Sequence, residues 1–125
     1  MGAKFLIDTN AIIDFSEGRL SELGRSFLIR IIEDEPCISA ITKIELLGFS
    51  SVSQAIIDFT DVAVVYGLTD AVVDRTIELC KKHRIKLPDA IIAATALIYE
   101  MTLISRNGKD FQSIDQLTCL DLHKL

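Results

Sequence analysis

The sequence predicts a three-layer α/β domain in which helices cover both faces of a mainly parallel sheet. Short apolar runs typical of buried strands alternate along the chain with longer segments whose apolar residues recur at helical spacing. Half of the 125 residues are hydrophobic, which is enough to form a core without disulfides or a structural metal. No repeat, linker or low-complexity tract divides the chain. We therefore expect one domain over residues 1–125.

The first third of the chain predicts two strands separated by two helices. Three consecutive large apolar residues, Phe5-Leu6-Ile7, are typical of a strand buried on both faces. Thr9 to Phe15 has apolar residues at helical spacing and ends at the breaker Ser16-Glu17-Gly18. The segment from Leu20 to Ile32 predicts an amphipathic helix that ends before a proline. Cys37 to Ile41 is compact and apolar, so we expect a second strand there.

The middle of the chain continues the alternation. A helix is predicted to begin at Thr42, because Thr42 and Glu45 have the spacing of a capping box. A helical turn over Ala55 to Phe59 and a strand over Val62 to Tyr66 follow. The helix predicted from Thr69 to His83 has five core candidates, which are Ala71, Val72, Ile77, Leu79 and Cys80.

The last part of the chain contains the strongest predicted helix, from Pro88 to Met101. Proline is favoured in the first turn of a helix, and the residues that follow are mostly Ala, Ile and Leu. A short strand is expected over Leu103 to Ser105, a turn or helix start over Asn107 to Phe111, and a last strand over Leu117 to Leu122. Because helices separate most of the strands, a mainly parallel sheet is the favoured arrangement.

The charge balance limits how the protein binds its partners. Eighteen acidic and thirteen basic residues give a net charge of −5, so nucleic acid would require bound cations or a local basic patch. The longest nearly apolar stretch, Ala90 to Tyr99, is about half of the roughly 20 residues that a membrane-spanning helix needs. The first residues lack the apolar region of a secretion signal. We expect a cytoplasmic protein with no membrane contact.

The three cysteines are an odd number and lie far apart, at Cys37, Cys80 and Cys119. They form no Cys-x-x-Cys motif and no cluster with histidine, so a zinc site is not expected. Each has aliphatic neighbours in a predicted strand or helix. We therefore predict reduced thiols that fill the core, as in a reducing compartment.

Four acidic residues lie at comparable places, where a strand is expected to lead into a helix. Asp8 follows the first strand, Glu45 lies in the first turn of the helix after the second strand, Asp89 lies in the first turn of the helix after the basic stretch, and Asp110 lies just past the strand at Leu103. The carboxyl ends of parallel strands meet at one edge of a sheet, so these four side chains are expected to converge there. Each residue alone also has a local explanation. Asp8 and Glu45 fit helix caps, Asp89 fits a helix dipole and Asp110 fits a turn.

The four carboxylates together predict a metal site. Negative groups within several ångströms repel each other, so a fold that gathers them normally requires a cation. An oxygen-only set without Cys or His suits Mg²⁺ or Mn²⁺, which keep several waters and bind phosphate. Such a site is typical of phosphodiester hydrolysis.

Four sequence blocks together resemble the PIN domain family, and within it the VapC-type toxins of toxin–antitoxin pairs. The resemblance covers nearly the whole chain and implies a PIN-like α/β fold and a Mg²⁺- or Mn²⁺-dependent ribonuclease. It further implies a homodimer held inactive by a cognate antitoxin. The blocks are Phe5 to Asn10 with Ile12 and Asp14, Ile38-Ser39 with Thr42 and Glu45-Leu46, Leu87 to Ala90 with Ile92 to Ala96, and Leu103 to Asn107 with Asp110-Phe111.

The resemblance also implies roles for individual residues. Asp8, Glu45 and Asp89 match the three main acidic positions of the family. The fourth position is either Asp110 or Asn107, where many members have an acid and where Asn would orient a water or a substrate oxygen. Three polar residues are expected to support the carboxylates by hydrogen bonds, unless they serve only as local caps or turns, and these are Thr9, Asn10 and Ser39.

One basic cluster, Lys81 to Lys86, leads directly into Pro88-Asp89. It indicates either a solvated helix end or contact with RNA phosphates. In the second interpretation the contacts would come from Lys82, Arg84 and Lys86.

Three alternatives to the toxin hypothesis are open. A phosphatase of the haloacid-dehalogenase type also has an Asp after its first strand, but it needs a second Asp two residues later, where this chain has Asn10. A stand-alone PIN nuclease in RNA processing would keep the same site. A catalytically silent PIN-like module would keep the fold and bind another protein.

Overall fold

The five strands of the protein form one sheet in a computed structural model that describes residues 4–125. The strands are β1 Phe5–Ile7, β2 Cys37–Ser39, β3 Val64–Tyr66, β4 Thr102–Ile104 and β5 Cys119–Leu120. Their order across the sheet is β3-β2-β1-β4-β5, and each neighbouring pair is parallel. The predicted parallel α/β architecture is confirmed, and β1 lies at its centre.

Seven α-helices and one 3₁₀ helix are formed within residues 4–125. They are α1 Thr9–Ser16, α2 Glu22–Asp34, α3 Ala40–Leu47, α4 Gln54–Val62, α5 Asp70–Lys82, α6 Leu87–Ile98 and α7 Gly108–Phe111, with the 3₁₀ helix over Leu122–Lys124. None of these helices is long and apolar enough to cross a membrane.

Two hydrophobic cores lie on opposite faces of the sheet, because side chains of a strand alternate between its faces. Leu6 and Leu103 face the core that contains α5 and α6. Ile7 and Ile104 face the core that contains α1 and α2. The strands β1 and β4 are paired in register, with Leu6 opposite Leu103. This arrangement confirms the three layers and holds the carboxyl end of β1 between two covered faces.

The start of α3 differs from the prediction. The helix begins at Ala40, and its N-cap is Ser39, whose Oγ accepts a hydrogen bond from the backbone N–H of Ile41 at 3.2 Å. Thr42 lies inside the helix and is fully buried, so the predicted capping box of Thr42 with Glu45 is wrong. The second strand therefore ends at Ser39 rather than Ile41, because the stronger cap comes earlier.

The boundaries of other helices and strands also differ from the predicted ones. The predicted turn at Ala55 to Phe59 is the full helix α4, which begins after the N-cap Ser53. The helix α6 ends at Ile98 rather than Met101, since Glu100 has a positive φ of 54° that a helix cannot contain. The last strand is only two residues long because the chain turns into the 3₁₀ helix.

Three of the core candidates on α5 are exposed. Val72 and Leu79 are buried, whereas Ala71, Ile77 and Cys80 face away from α6. The buried stripe of this helix is narrower than predicted and consists of Val72, Thr76 and Leu79. All three cysteines are free thiols, but only Cys37 is fully in the core, and Cys119 is half-buried. The prediction of core-filling thiols is therefore wrong for Cys80.

Candidate metal centre

Asp8 lies directly after β1 and is held by three hydrogen bonds. Its Oδ1 accepts from the backbone N–H of Thr9 at 2.7 Å, which also makes Asp8 the N-cap of α1. Its Oδ2 accepts from Ser105 Oγ at 2.8 Å and from Asn10 Nδ2 at 3.1 Å. The residue is only 4% exposed. The Asp8 side chain is thus the helix cap that the sequence predicts, and the same orientation places it where the candidate site is expected.

Burial raises the pKa of the Asp8 carboxyl above its ordinary range. The hydrogen bonds from Ser105 and Thr9 oppose this rise, and the negative charges of Asp89 and Glu45 add to it. The ionised form of Asp8 is therefore poorly solvated and surrounded by like charge. A bound cation would relieve both costs.

Glu45 is hydrogen-bonded to Thr9, the residue that follows Asp8. Its Oε1 accepts a hydrogen bond from Thr9 Oγ1 at 2.6 Å, and the hydroxyl of Thr42 lies 3.2 Å from that of Thr9. The helix α3 and the start of α1 are tied together in this way. The Glu45 side chain is exposed on the outer side of this contact, so its second oxygen is available to a ligand.

Asp89 and Asp110 complete the predicted set of four. Asp89 lies in the first turn of α6 and Asp110 lies in α7. Partial burial raises the pKa of the Asp89 carboxyl, and the charges of Asp110 and then Glu45 raise it further, while Lys86 lowers it. Asp8 is thus affected by the charges of Asp89 and Glu45, and Asp89 by those of Asp110 and Glu45. We call Asp8, Glu45, Asp89 and Asp110 the carboxylate cluster.

Ser105 and Asn10 connect the cluster to the loop after β4. Ser105 is buried, and its Oγ accepts from the backbone N–H of Asn107 at 3.1 Å while donating to Asp8. Asn10 donates from Nδ2 to Asp8 and accepts at Oδ1 from the backbone N–H of Arg106 at 3.2 Å. The expected support by Asn10 is thus present as hydrogen bonds. The role of Ser105 had not been predicted, although it ends the strand beside β1.

The contacts of a second buried acidic residue, Asp14, were also not predicted, and they hold the loop after β4. Asp14 is fully buried in α1; its Oδ1 accepts from Arg106 Nη1 at 2.7 Å and its Oδ2 lies 2.8 Å from His123 Nε2. Arg19 lies further out, and its Nη1 is 3.9 Å from Asp14 Oδ1. An acid inside the apolar pattern of α1 was the available signal. Its partners lie too far along the sequence to be recognised.

The remaining predicted support residues have local contacts. Ser39 caps α3 and so fixes the start of the helix that carries Glu45. The Asn107 side chain is exposed and makes no cap hydrogen bond at the start of α7. A role for either residue at the metal or the substrate stays a prediction.

The basic cluster borders the carboxylate cluster at one position. Lys86 occupies the N-cap position of α6, three residues before Asp89, and its charge acts on that carboxyl. Lys82 ends α5, and Arg84 is exposed in the link between the two helices. Contact of Lys82, Arg84 and Lys86 with RNA stays a prediction.

The donor set fits a hard divalent cation. All four groups are carboxylates, and burial together with neighbouring carboxylate charges raises the pKa of Asp8 and of Asp89, as expected when a counter-ion is needed. Over residues 4–125, no three acidic, His or Cys side chains are close enough together to hold a metal directly. Mg²⁺ usually needs only one or two direct carboxylates and fills its other positions with water and substrate phosphate, so the chemistry of the donors, not their spacing, supports this ion.

Comparisons with known proteins agree with this architecture. A family model described as "PIN domain" matches residues 5–117. A toxin-antitoxin complex from Klebsiella pneumoniae is 28% identical, with a TM-score of 0.74 over 94% of this chain and 96% of that chain. VapBC-1 from nontypeable Haemophilus influenzae is 26% identical, with a TM-score of 0.76 over 94% and 97% of the two chains.

A more distant structure shows the same fold. FitAcB from Neisseria gonorrhoeae is 22% identical, with a TM-score of 0.76 over 97% of this chain and 99% of that chain. No curated protein is significantly similar in sequence to the chain.

Proposed function

The chain belongs to the PIN domain family, and on this premise we propose that it is a Mg²⁺- or Mn²⁺-dependent ribonuclease, the toxin of a type II toxin–antitoxin pair. One observation supports the proposal: burial, and then the charges of neighbouring carboxylates from other segments, raise the pKa of Asp8 and of Asp89. The repelling carboxylates are Asp89 and Glu45 for Asp8, and Asp110 and Glu45 for Asp89. Such repulsion is a cost to the metal-free protein that a bound cation would relieve, and groups with shifted pKa values are common at functional sites.

The proposed ligands are Asp8, Glu45, Asp89 and Asp110. A divalent cation bound there would supply an activated water and stabilise the charge that develops on the phosphate. The chain's own residues provide the positioning. Asp8 cannot rotate because three donors hold it, and Thr9 directs one oxygen of Glu45 inward, so that its other oxygen is left for the ion.

Two residues compete for the fourth position in this proposal. The charge of Asp110 acts on Asp89, which supports Asp110 as a ligand. Asn107 begins the same short helix with an exposed amide, and this placement supports a contact with a water or a phosphate oxygen. We therefore assign the charge to Asp110 and the orienting role to Asn107.

An antitoxin is the proposed protein partner. The Klebsiella and Haemophilus structures are a toxin-antitoxin complex and a VapBC complex, and both cover almost the whole chain. A groove between α1, α2 and α4 offers apolar contact area for such a partner. This apolar groove is lined by Ile12, Phe15, Leu28, Ile32, Ile56 and Phe59. A homodimer is proposed as the assembly of the chain itself.

The proposal is tested by incubating a mixed, structured RNA with the protein and Mn²⁺, with EDTA as the metal-free control. We expect cleavage only with the metal, and a loss on the order of 10²–10³-fold for Asp89→Asn. Thermal denaturation of the same samples measures metal binding separately. Cleavage that survives in EDTA or in Asp89→Asn would contradict the metal-nuclease proposal.

The alternatives give different results in the same experiment. A folded wild-type protein that neither cleaves RNA nor gains stability with Mn²⁺ would support a silent interaction module. Metal-dependent cleavage without a neighbouring antitoxin gene would support a stand-alone nuclease in RNA processing. The genomic observation is a short reading frame upstream that encodes a DNA-binding protein.

A further inference from the structure

A cavity of about 940 Å³ opens between α7 and β5, on the side of the sheet edge next to the carboxylate cluster. We call it the β5 cavity. Its volume lies within the range of about 300–1,000 Å³ that is usual for ligand sites. The residues that matter below are Lys109, Asp110, Gln112, Leu117, Cys119 and Lys124, all of which line it.

Two contacts show that the β5 cavity adjoins the carboxylate cluster. Asp110 forms part of its wall, and the charge of Asp110 acts on Asp89. The Cys119 thiol lies 3.8 Å from the carbonyl of Ser105, the residue that donates to Asp8. A molecule that extends out of the metal site in this direction therefore enters the cavity.

The lining is suited to a nucleotide. Leu117 and Cys119 are half-buried and give an apolar surface, and the exposed amides of Asn107 and Gln112 provide donors and acceptors at the rim. Both lysines, Lys109 and Lys124, are exposed and form no ion pair within the described part of the chain.

The lining contains three other charged side chains. Arg106 donates to the buried Asp14, and Asp121 accepts at Oδ1 from the backbone N–H of His123 at 2.9 Å. Asp110 is the proposed metal ligand at the boundary of the two sites. Lys109 and Lys124 are therefore the cationic groups of the lining that have no ion pair within the described part of the chain.

We propose that the β5 cavity binds the single-stranded RNA segment that flanks the scissile phosphate. One nucleoside rests against Leu117 and Cys119, and Lys109 and Lys124 contact the phosphates beyond it. The inference rests on the proposed nuclease function and adds the path of the substrate to it. A single strand is the expected ligand because its unstacked bases can enter a pocket, whereas bases in a duplex cannot.

The first test removes the two charges with the double variant Lys109→Ala/Lys124→Ala. Its affinity for a single-stranded RNA of roughly 12 nucleotides is measured in EDTA, which prevents the proposed metal-dependent cleavage, as a function of salt concentration. We expect an affinity at least about fivefold weaker, and a slope of log K against log salt that is smaller by about 1.4, because each lost phosphate contact contributes about 0.7 for a single strand.

The matched control is Lys4→Ala/Arg30→Ala, which removes the same charge elsewhere. Lys4 precedes β1 and Arg30 lies in the second half of α2, and both are exposed towards the amino ends of the strands. We expect this variant to keep the wild-type salt slope. An equal change of slope in both double variants would overturn the proposal, since the effect would then be one of net charge alone.

The second test uses the Cys119 thiol as a reporter in a Cys80→Ser background. Cys37 is 1% exposed, so Cys119 is the thiol expected to react with maleimide in that variant. We expect the same RNA, again in EDTA, to slow this reaction at least about fivefold, because the bound strand covers the cavity floor. An unchanged reaction rate at saturating RNA would overturn the proposal.

The two tests separate this inference from the proposed function. Metal-dependent cleavage with an unprotected Cys119 and an unchanged salt slope in Lys109→Ala/Lys124→Ala would leave the nuclease and remove the subsite. Protection of Cys119 by RNA in a protein that cleaves nothing would leave the subsite and remove the nuclease.

Discussion

At the residue scale, Thr9 is the contact on which the geometry of Glu45 depends. Its hydroxyl donates to Glu45 Oε1 at 2.6 Å, while its backbone N–H donates to Asp8 at 2.7 Å. One residue therefore orients two of the proposed ligands. The exposed Glu45 side chain would otherwise sample several rotamers, and ordering it would then be part of the cost of binding the ion.

We expect Thr9→Val to lower the cleavage rate at limiting Mn²⁺ by about tenfold, since outer contacts of metal ligands are worth about 10–100-fold in affinity or activity. Valine keeps the shape and removes only the hydroxyl. The control Thr9→Ser keeps the donor and should stay near the wild type. Rate measurements over a range of Mn²⁺ concentrations check this, and equal behaviour of the two variants would contradict it.

Asp89 illustrates the cost of the cluster to the metal-free protein. Its pKa is raised above the ordinary value of 3.8, so the folded protein holds the proton more tightly than the unfolded chain. Stability therefore decreases as pH rises from about 3.8 through the folded pKa, and the full cost is present at neutral pH.

We expect Asp89→Asn to raise the melting temperature of the metal-free protein at pH 7 by roughly 2–4 °C, although the same variant is expected to lower cleavage. The amide cannot ionise, so the gain should vanish near pH 3, where the wild-type carboxyl is protonated. Thermal denaturation in EDTA at both pH values measures this. A melting temperature that falls at pH 7 would show that the ionised carboxyl stabilises the fold.

The proposed ligands could be named from the sequence because each lies near the predicted start of a helix or just after a strand. Asp8 follows β1, Glu45 lies in the helix after β2, and Asp89 lies in the first turn of α6, which follows the helix α5. The hydrogen bonds of Ser105 and Asp14 were not predicted, for a different reason. Their hydrogen-bond partners lie 92 to 109 positions away in the sequence. A local sequence pattern cannot predict a hydrogen bond between residues so far apart.

At the scale of elements, the 3₁₀ helix Leu122–Lys124 is seated on α2 through a glycine. A Cβ added at Gly24 would lie 2.5 Å from the Leu122 backbone oxygen and 3.1 Å from Ser21 Oγ. The Leu122 oxygen belongs to the backbone, so it cannot rotate away from an added Cβ as the end of a flexible side chain could. The close approach of these two elements therefore requires the absence of a side chain at this position.

We expect Gly24→Ala to destabilise the protein by about 1–3 kcal/mol, in spite of the better helix propensity of alanine. Gly67→Ala is the matched control, because a Cβ at Gly67 meets nothing within 4 Å. Urea denaturation of both variants measures the free energy of unfolding. Equal stability of the two would show that the 3₁₀ helix moves away at little cost.

The helices α3 and α5 show where sequence patterns were insufficient to predict the start of a helix or its buried face. The strand and helix types were predicted correctly, but helix starts depend on which of several neighbouring hydroxyls forms the cap. Ser39 and Thr42 both had the right chemistry, and the choice is made by burial, because Thr42 is enclosed against Thr9. The exposed face of α5 was mispredicted because the width of its buried stripe cannot be read from one amphipathic pattern.

At the scale of the whole molecule, the sheet has an unprotected apolar edge. The strand β3 lies at one end of the strand order, and four apolar side chains in and beside it are exposed. They are Val62, Val64, Val65 and Leu68. Apolar edge strands are templates for pairing with another chain, and native proteins normally cover them.

We expect the protein to be a homodimer that covers this edge. The expected mass by light scattering is twice the chain mass of 13.9 kDa. Val62→Lys/Val65→Lys should shift it to the single-chain mass, because like charges would then face each other. A wild-type monomer would contradict the homodimer, and a dimer that the lysines leave intact would place the interface elsewhere.

The architecture itself was predictable because alternating strands and helices allow few topologies. The order of the strands was not, since β1 lies between β2 and β4 only after a crossover from one side of the sheet to the other. The β5 cavity could not be predicted from the sequence either. Its walls come from α7 and β5, two of the shortest elements, and neither has a periodic pattern.

The pairing of β1 with β4 has a consequence for the protein during its synthesis. Asp8 emerges from the ribosome early, but its donor Ser105 lies 97 positions later, and Asp89 and Asp110 also come late. An unfinished chain that lacks these residues therefore cannot form the complete carboxylate cluster. The apolar groove is built from α1, α2 and α4, which are translated first. A partner that binds there can reach the nascent chain before the nuclease site exists.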